Sequence, residues 1–238
     1  MIKLEVCIDT PDAIATCVAE GVDRIELCSA LLVGGLTPSR GLMALAAQSA
    51  VPVHAMIRPT TGGFVISDAA FEVMMSDIAA ARDYGLVGVV LGVLSADCKL
   101  DHKLLAKFIA AAGPLEVTLH RAIDLCVDPL EAVDVAADLG IMRILTSGTA
   151  QNAFDGRNVI RQMVDRAAGR LTIMPGSGVT AANVRQLVQE TGVRDVHASC
   201  ATTIPEAGNV AEFGFGPTDK RVTDSKTIRA MRLALDGL

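Results

Sequence analysis

Polar side chains recur at every second position in five short apolar segments of the 238-residue sequence. The residues between them are mostly aliphatic, so each segment predicts a strand with one apolar and one polar face. The polar positions are Glu5 and Cys7, Glu26 and Cys28, His54, Met56 and Arg58, Glu116, Thr118 and His120, and Asp195, His197 and Ser199. Burying such groups unpaired costs free energy, so we expect the polar faces to meet in one pocket.

Soft metal binding is one chemistry that these residues could perform. Cys7, Cys28 and Met56 offer thiolate and thioether sulfur, and His54 or His120 offers imidazole, a set that suits Cu(I). The six cysteines contain no C-x-x-C pair, so no local spacing identifies a site. A free cysteine is also a common small core residue. Both interpretations of the cysteines stay open.

Acid–base catalysis is the second possibility. Glu5 and Glu26 are predicted on adjacent strands, where two carboxylates can separate each other's pKa values and serve as acid and base. His120 and His197 are alternatives in either role, and Arg58 could bind an anionic substrate group. The competing interpretation is a set of structural ion pairs.

In that structural interpretation, Arg58 pairs with one of the two glutamates inside the fold. Residues near the beginnings of the strands, such as Arg24, Glu116 and Asp195, are the stronger candidates for structural pairs. A pocket that binds a ligand is expected above them, at the carboxyl ends of the strands.

An anion site is the third possibility. Ser147 and Gly148 follow one predicted strand, and Gly176, Ser177 and Gly178 follow the next, just before a helix. Backbone N–H groups in such loops can hold a phosphate, assisted here by Arg58 and His197. A tight turn alone also requires glycine, so the pattern is not specific.

Strand and helix patterns alternate along the whole chain. The predicted strands are Leu4–Cys7, Arg24–Leu27, Val53–Arg58, Gly88–Leu91, Leu115–His120, Arg143–Thr146, Leu171–Met174 and Asp195–Ala198. Eight strand–helix units at roughly 30 residues each are typical of a (β/α)8 TIM-type barrel. An open doubly wound sheet is the alternative, but no G-x-G-x-x-G follows the first strand. We predict one domain over residues 1–238, with a long lid-like loop over about 199–224.

The amino-acid composition limits the classes of partner that we expect and the compartment in which we expect the protein. The net charge is −6, aromatic residues make up 3% and no basic run occurs, so neither nucleic acid nor an anionic membrane is an expected partner. No signal peptide or apolar stretch of bilayer length is evident, and we read the cysteines as reduced thiols in a cytoplasmic protein. Ala-rich outer helices could form a homodimer face, although the same composition serves packing on the sheet.

Five segments together resemble the CutC family, named for copper homeostasis. They are "DRIELCSALLVGGLTPS" (23–39), "VHAMIRPTTGGF" (53–64), "VTLHRAIDLC" (117–126), "ILTSG" (144–148) and "PGSGVTAANV" (175–184). The resemblance runs from Glu5 to about Ser199 and implies a TIM-type barrel and a cytosolic protein linked by name to copper tolerance. The family's two proposed copper ligands correspond to Cys7 and Cys28. No organic cofactor is implied.

Two functional hypotheses follow. The first is a copper homeostasis protein that binds Cu(I) through Cys7, Cys28 and Met56. The second is a small-molecule enzyme, a lyase or isomerase acting on a sugar-like or phosphorylated compound. Metal carriage requires only two or three soft ligands, whereas the predicted mouth also carries Asp124 and the carboxylates, arginine and histidines described above. A barrel fold alone does not select a reaction.

Overall fold

All eight predicted strands form in the computed structural model, which describes residues 1–206 and 208–238, and their ends lie within two residues of the prediction. The strands are β1 (Lys3–Ile8), β2 (Arg24–Leu27), β3 (Val53–Met56), β4 (Gly88–Leu91), β5 (Glu116–Leu119), β6 (Arg143–Thr146), β7 (Thr172–Pro175) and β8 (Asp195–Ala198). They are parallel in the order β7-β6-β5-β4-β3-β2-β1-β8, and β7 packs beside β8 to complete the barrel.

Helices follow the strands and form the outer layer. They are α1 (Pro11–Ala19), α2 (Arg40–Ala46), α3 (Asp68–Asp83), α4 (His102–Ala112), α5 (Pro129–Asp138), α6 (Arg157–Ala167), α7 (Val184–Thr191) and α8 (Ser225–Leu235). Capping side chains fix several starts: Ser39 Oγ accepts from Leu42 N, and Asp128 Oδ1 accepts from Leu130 N and Glu131 N. Among the described residues, no helix is long and apolar enough to cross a bilayer.

The alternating pattern of each strand separates two environments. Aliphatic positions such as Val6, Ile25 and Leu119 point outward and are fully buried against the helices. The polar positions point into the barrel, and the parallel register sets Cys7 beside Glu26. The same register places the remaining inward side chains in layers, which is how barrel interiors are filled.

The segment predicted as a loop over 199–224 contains regular structure. β9 (Ala201–Pro205) and β10 (Asp219–Thr223) form an antiparallel pair after β8, so the prediction of an irregular loop is wrong for these residues. The strands were missed because they are short and largely exposed, and they lack the apolar alternation of a buried strand. Residue 207, between them, lies outside the described residues.

Candidate functional site

Opposite charges occupy the lower layer of the barrel interior. Arg24 pairs with Glu5, and its Nη2 lies 3.0 Å from Asp195 Oδ2. Arg143 pairs with Glu116, and its Nε lies 3.7 Å from Asp195 Oδ2. These five residues are called the floor network below. The predicted structural role of Arg24, Glu116 and Asp195 is thereby supported, whereas Glu5 pairs with Arg24 and not with Arg58.

An imidazole connects the floor network to the layer above. His197 Nδ1 lies 2.7 Å from Glu5 Oε1, and His197 Nε2 lies 3.8 Å from Glu26 Oε2. Glu5 is fully buried, and although burial raises its pKa, the His197 hydrogen bond and the Arg24 charge lower it overall. Glu5 is therefore an anion that orients His197, in the way a carboxylate orients a catalytic histidine.

Glu26 and His197 both favour their protonated forms. Burial raises the pKa of Glu26, and the nearby Glu5 carboxylate adds to the increase. Burial alone would lower the pKa of His197, but Cys7, Glu26 and Glu5 raise it well above its ordinary value. Glu26 and His197 thus lie side by side at the bottom of the barrel mouth, each with a pKa above its ordinary value, which suits the pair to proton exchange with a ligand.

The predicted sulfur ligands separate into two groups. The Cys7 thiol, the Glu26 carboxylate and the His197 imidazole have donor atoms within 4.8 Å of one another. Cys28 and Met56 instead belong to a small apolar cluster with Val90. Cys28 Sγ also lies 3.5 Å from Glu26 Oε2, and burial together with this carboxylate raises the Cys28 pKa well above its ordinary value.

The donors that converge are therefore one sulfur, one oxygen and one nitrogen. Such a mixed set fits a borderline divalent ion at least as well as Cu(I), which favours several sulfur ligands. Cys28 adjoins the set through Glu26, at 3.5 Å from its Oε2.

A cavity of about 480 Å³ opens above these residues at the carboxyl ends of the strands. Seven of the predicted site residues line it, namely Cys7, Glu26, Met56, Arg58, His120, Gly178 and His197. Within the part of the chain that the structure describes, three buried atoms on lining residues have no hydrogen-bond partner, namely Glu26 Oε1, Arg58 Nε and His120 Nε2. The other two such atoms belong to His54, which is not among the described lining residues. Unpaired buried groups are rare in proteins, and three of them around one cavity are typical of a ligand site.

His120 is a hydrogen-bond donor in this cavity. Burial lowers its pKa to about 4, so the ring is neutral at pH 7. Its Nδ1 accepts from Ala122 N at 3.2 Å, which leaves the ring proton on Nε2. The ring packs against Phe64 with centroids 4.8 Å apart, and Arg58 covers the same phenyl ring at 5.2 Å. His120 is thus positioned to donate a hydrogen bond to a ligand. Its low pKa makes the neutral ring a weak base.

Arg58 is held by backbone oxygen atoms. Its Nη1 donates to the carbonyl oxygens of Val33 and Gly35, and its Nη2 donates to that of Gly62. Two further arginines that the sequence analysis did not select, Arg121 and Arg221, also line the cavity. Arg121 follows His120 directly at a strand end, a position that could have identified it.

Asp124 and Ser147 contact each other, and neither is among the described residues that line the cavity. Asp124 accepts hydrogen bonds from Ser147 N and Oγ at 3.0 and 2.9 Å, and Arg121 Nε donates to it at 2.8 Å. Its carboxylate therefore holds the β6 loop. A Cβ on Gly148 would lie 2.2 Å from the Gly156 carbonyl oxygen, so the residue meets a packing requirement there.

Only part of the loop after β7 lines the cavity. Gly176 N donates to Thr146 O at 2.9 Å and so continues the strand ladder, and a Cβ on Gly176 would lie 3.3 Å from the His197 ring. Ser177 and Gly178 line the cavity in left-handed conformations, with φ of 74° and 70°. Glycine adopts that conformation without strain.

Comparisons with known proteins agree on one relationship. A model described as the CutC family matches residues 2–202. The CutC protein of Rhizobium meliloti (strain 1021) is 50% identical over 237 residues, which are 99% of this chain and 97% of that protein. A structure titled a putative copper homeostasis protein CutC from Streptococcus agalactiae superposes with a TM-score of 0.80 at 32% identity, covering 84% of this chain and 99% of its own.

A more distant likeness concerns the fold alone. Phosphoribosylanthranilate isomerase from Thermotoga maritima superposes with a TM-score of 0.62 at 13% identity, over 100% of both chains. The resemblance seen in the sequence motifs is confirmed by the family model and by the relatives, and the barrel is confirmed by the structures. The chain belongs to the CutC family.

Proposed function

We propose that this protein binds an anionic small molecule in the mouth cavity and transfers a proton to or from it through Glu26 and His197. The observation that carries the proposal is the group of unpaired buried atoms around the cavity, on Glu26, Arg58 and His120. Two of them belong to hydrogen-bond donors and the third to a carboxyl group. A ligand with acceptor oxygen atoms would satisfy the two donors, and it would also satisfy Glu26 when Oε1 carries the carboxyl proton.

Charge supports an anionic ligand. The protein has a net charge of −6, yet Arg58, Arg121 and Arg221 line the cavity. Asp124 balances Arg121, while neither Arg58 nor Arg221 lies within ion-pair distance of a carboxylate among the described residues. A cavity with excess positive charge in an acidic protein attracts anions, and guanidinium groups suit carboxylate and phosphate oxygen atoms.

Proton transfer is the chemistry that the cavity bottom supports. Glu26 in its acid form can donate a proton to the ligand, and the His197 imidazolium at 3.8 Å then stabilises the resulting carboxylate. Glu5 holds the imidazole in place from the opposite side. Return of a proton to Glu26 completes the cycle. Reversible transfer of this kind serves isomerisation and bond cleavage next to a carbonyl group.

Deuterium incorporation tests the proposal without knowledge of the substrate. The protein is incubated in D2O with a defined mixture of phosphorylated and carboxylic metabolites, and mass spectrometry then detects any compound that gains deuterium or changes mass. We expect the wild type to label or convert at least one anionic compound. Glu26→Gln should abolish the reaction, and Glu131→Gln on exposed α5 is the matched control. Labelling that survives in Glu26→Gln would contradict the proposal.

Metal handling is a second candidate, favoured by the convergence of Cys7, Glu26 and His197. Cu(I) carried as cargo agrees with the family's name and with the free state of all six cysteines, which also supports a cytoplasmic location. In this role the Cys7 thiolate would be the principal ligand, with His197 beside it and Cys28 adjoining.

An anaerobic Cu(I) titration against a strong chelator separates the two candidates. If copper is the ligand, Cys7→Ser/Cys28→Ser should abolish stoichiometric binding, whereas Glu26→Gln should weaken it less, because a carboxylate is the hardest of the converging donors. If the cavity serves a metabolite, wild type and the double variant should bind Cu(I) equally weakly. The deuterium experiment, performed on the same variants, would then show mild effects of thiol loss.

A further inference from the structure

The hairpin after β8 brings a charged side chain to the cavity. Arg221 lies on β10 opposite Thr203 of β9, and it lines the mouth beside Ser199. The family model ends at residue 202, so this arginine lies outside the matched region. Arg221 is also exposed and makes no ion pair among the described residues, so its positive charge is available to a ligand.

We propose that Arg221 binds a second anionic group of the ligand and thereby selects compounds that carry negative charge at two ends. The inference rests on the anionic ligand of the proposed function. It adds a specificity-determining residue and narrows the ligand class from anions in general to small molecules with two separated anionic groups, such as a phosphate with a carboxylate or a second phosphate.

The positions of the two unpaired arginines favour a two-ended ligand. Arg58 lies just beyond β3, whereas Arg221 lies over the end of β8. β1 and β2 separate these strands in the barrel wall. Neighbouring strands lie about 4.8 Å apart, so the two attachment points are roughly 14 Å apart along the wall. The two arginines therefore reach the cavity from different parts of the wall, and a ligand that spans the cavity could meet one guanidinium at each end.

The hairpin base holds Arg221 in position before any ligand binds. Arg221 Nη2 donates to Ser199 Oγ at 2.7 Å. Asp224 N, directly after β10, donates to Cys200 O at 2.9 Å, so the hairpin leaves and rejoins the barrel at one place. Asp224 also caps α8, which Arg229 ties to Glu20 next to α1. A side chain fixed in this way binds with a smaller loss of entropy than a mobile one.

Selectivity can be measured by equilibrium dialysis. The probe is a defined mixture of neutral, singly anionic and doubly anionic metabolites, with mass-spectrometric readout of the compounds retained by the protein. The variants are Arg221→Gln, the charge-conserving Arg221→Lys, and Arg185→Gln on α7 as a control away from the cavity. Thermal unfolding verifies that each variant is folded.

Wild type should retain doubly anionic compounds most strongly. Arg221→Gln should weaken their retention about tenfold, the effect of one charge-assisted contact, and leave singly anionic compounds unchanged. Arg221→Lys should recover part of the loss. Equal retention by Arg221→Gln and wild type, or a wild type that prefers singly anionic compounds, would overturn the role of Arg221 and leave the proposed function standing. A wild type that retains no anionic compound would overturn both.

Discussion

The lower and upper layers of the barrel interior differ in whether their buried polar groups have partners within the protein. In the floor network, Arg24 and Arg143 face the carboxylates of Glu5, Glu116 and Asp195. One layer higher, buried polar atoms lack partners within the described structure, and the carboxyl and imidazole groups favour protonated forms. The first arrangement maintains the fold, whereas the second leaves binding capacity for a ligand.

The same strands build both layers. On β2, Arg24 belongs to the floor and Glu26 to the mouth, and on β8 the corresponding residues are Asp195 and His197. Because strand side chains alternate faces, two residues are the smallest step that stays on the inner face. A step of two along one strand thus changes the expected role of a side chain from stability to binding.

The floor should respond most strongly to loss of a charge. Arg24→Met leaves the buried Glu5 carboxylate without its arginine and leaves Asp195 with Arg143 alone, which should lower the free energy of unfolding by about 3–5 kcal/mol. Urea unfolding at pH 7 measures it. The matched variant in the mouth, Arg221→Met, should leave the free energy of unfolding nearly unchanged. Similar losses in both variants would remove the distinction between the layers.

Added volume should distinguish the layers in a second way. A Cβ on Gly88 would lie 2.6 Å from the Glu116 carbonyl oxygen, which cannot move without the strand, so Gly88→Ala should cost about 1–3 kcal/mol. Gly92→Ala in the mouth should cost less, because the nearest atoms belong to the His120 side chain and not to the backbone of a neighbouring strand. Urea unfolding of the two variants gives the ranking, and the reverse order would contradict it.

Acidification should lower the stability of the fold through protonation of His120. Since its pKa falls from 6.5 to about 4 on folding, the unfolded chain binds the proton more readily, and stability is lost as pH falls from 6.5 towards 4. His120→Asn should remove about 1–2 kcal/mol of the stability difference between pH 7 and pH 5. His102→Asn, at the exposed start of α4, is the control. An unchanged pH slope in His120→Asn would show that the ring is not held neutral.

Removing the mouth carboxyl should have the smallest effect on stability. Because burial raises the pKa of Glu26, folding favours the protonated form, and stability falls as pH rises from 4.5 towards the raised pKa. At pH 7, the free energy of unfolding of Glu26→Gln should therefore lie within about 1 kcal/mol of the wild-type value, or above it. A loss as large as that of Arg24→Met would mean that Glu26 belongs to the structural pairs.

The barrel could be predicted from the sequence because its signals are local. Short apolar runs located the eight strands, five of them with period-two alternation, and capping residues such as Asp128 located helix starts. The inner parity also identified Glu26, Arg58, His120 and His197 as residues of one pocket. These features depend on side-chain direction along a strand, which spacing alone determines.

Other parts of the site depend on contacts between distant segments. Sequence spacing could not show that Glu5 pairs with Arg24, that Asp124 turns to the β6 loop, or that Cys28 packs with Met56 and Val90. Arg221 was missed for a different reason. It lies on a short exposed strand whose pattern carries no periodic signal.

A carbon-13 NMR titration of the glutamate carboxyl groups tests the contrast between the layers most directly. The metal-free protein is titrated from pH 7 downward, with Glu26→Gln and Glu5→Gln used to assign the two signals. We predict that Glu26 protonates above the ordinary glutamate value of 4.5, while Glu5, one strand away, protonates below it. Titration of both groups near 4.5, or of Glu26 below Glu5, would contradict the account.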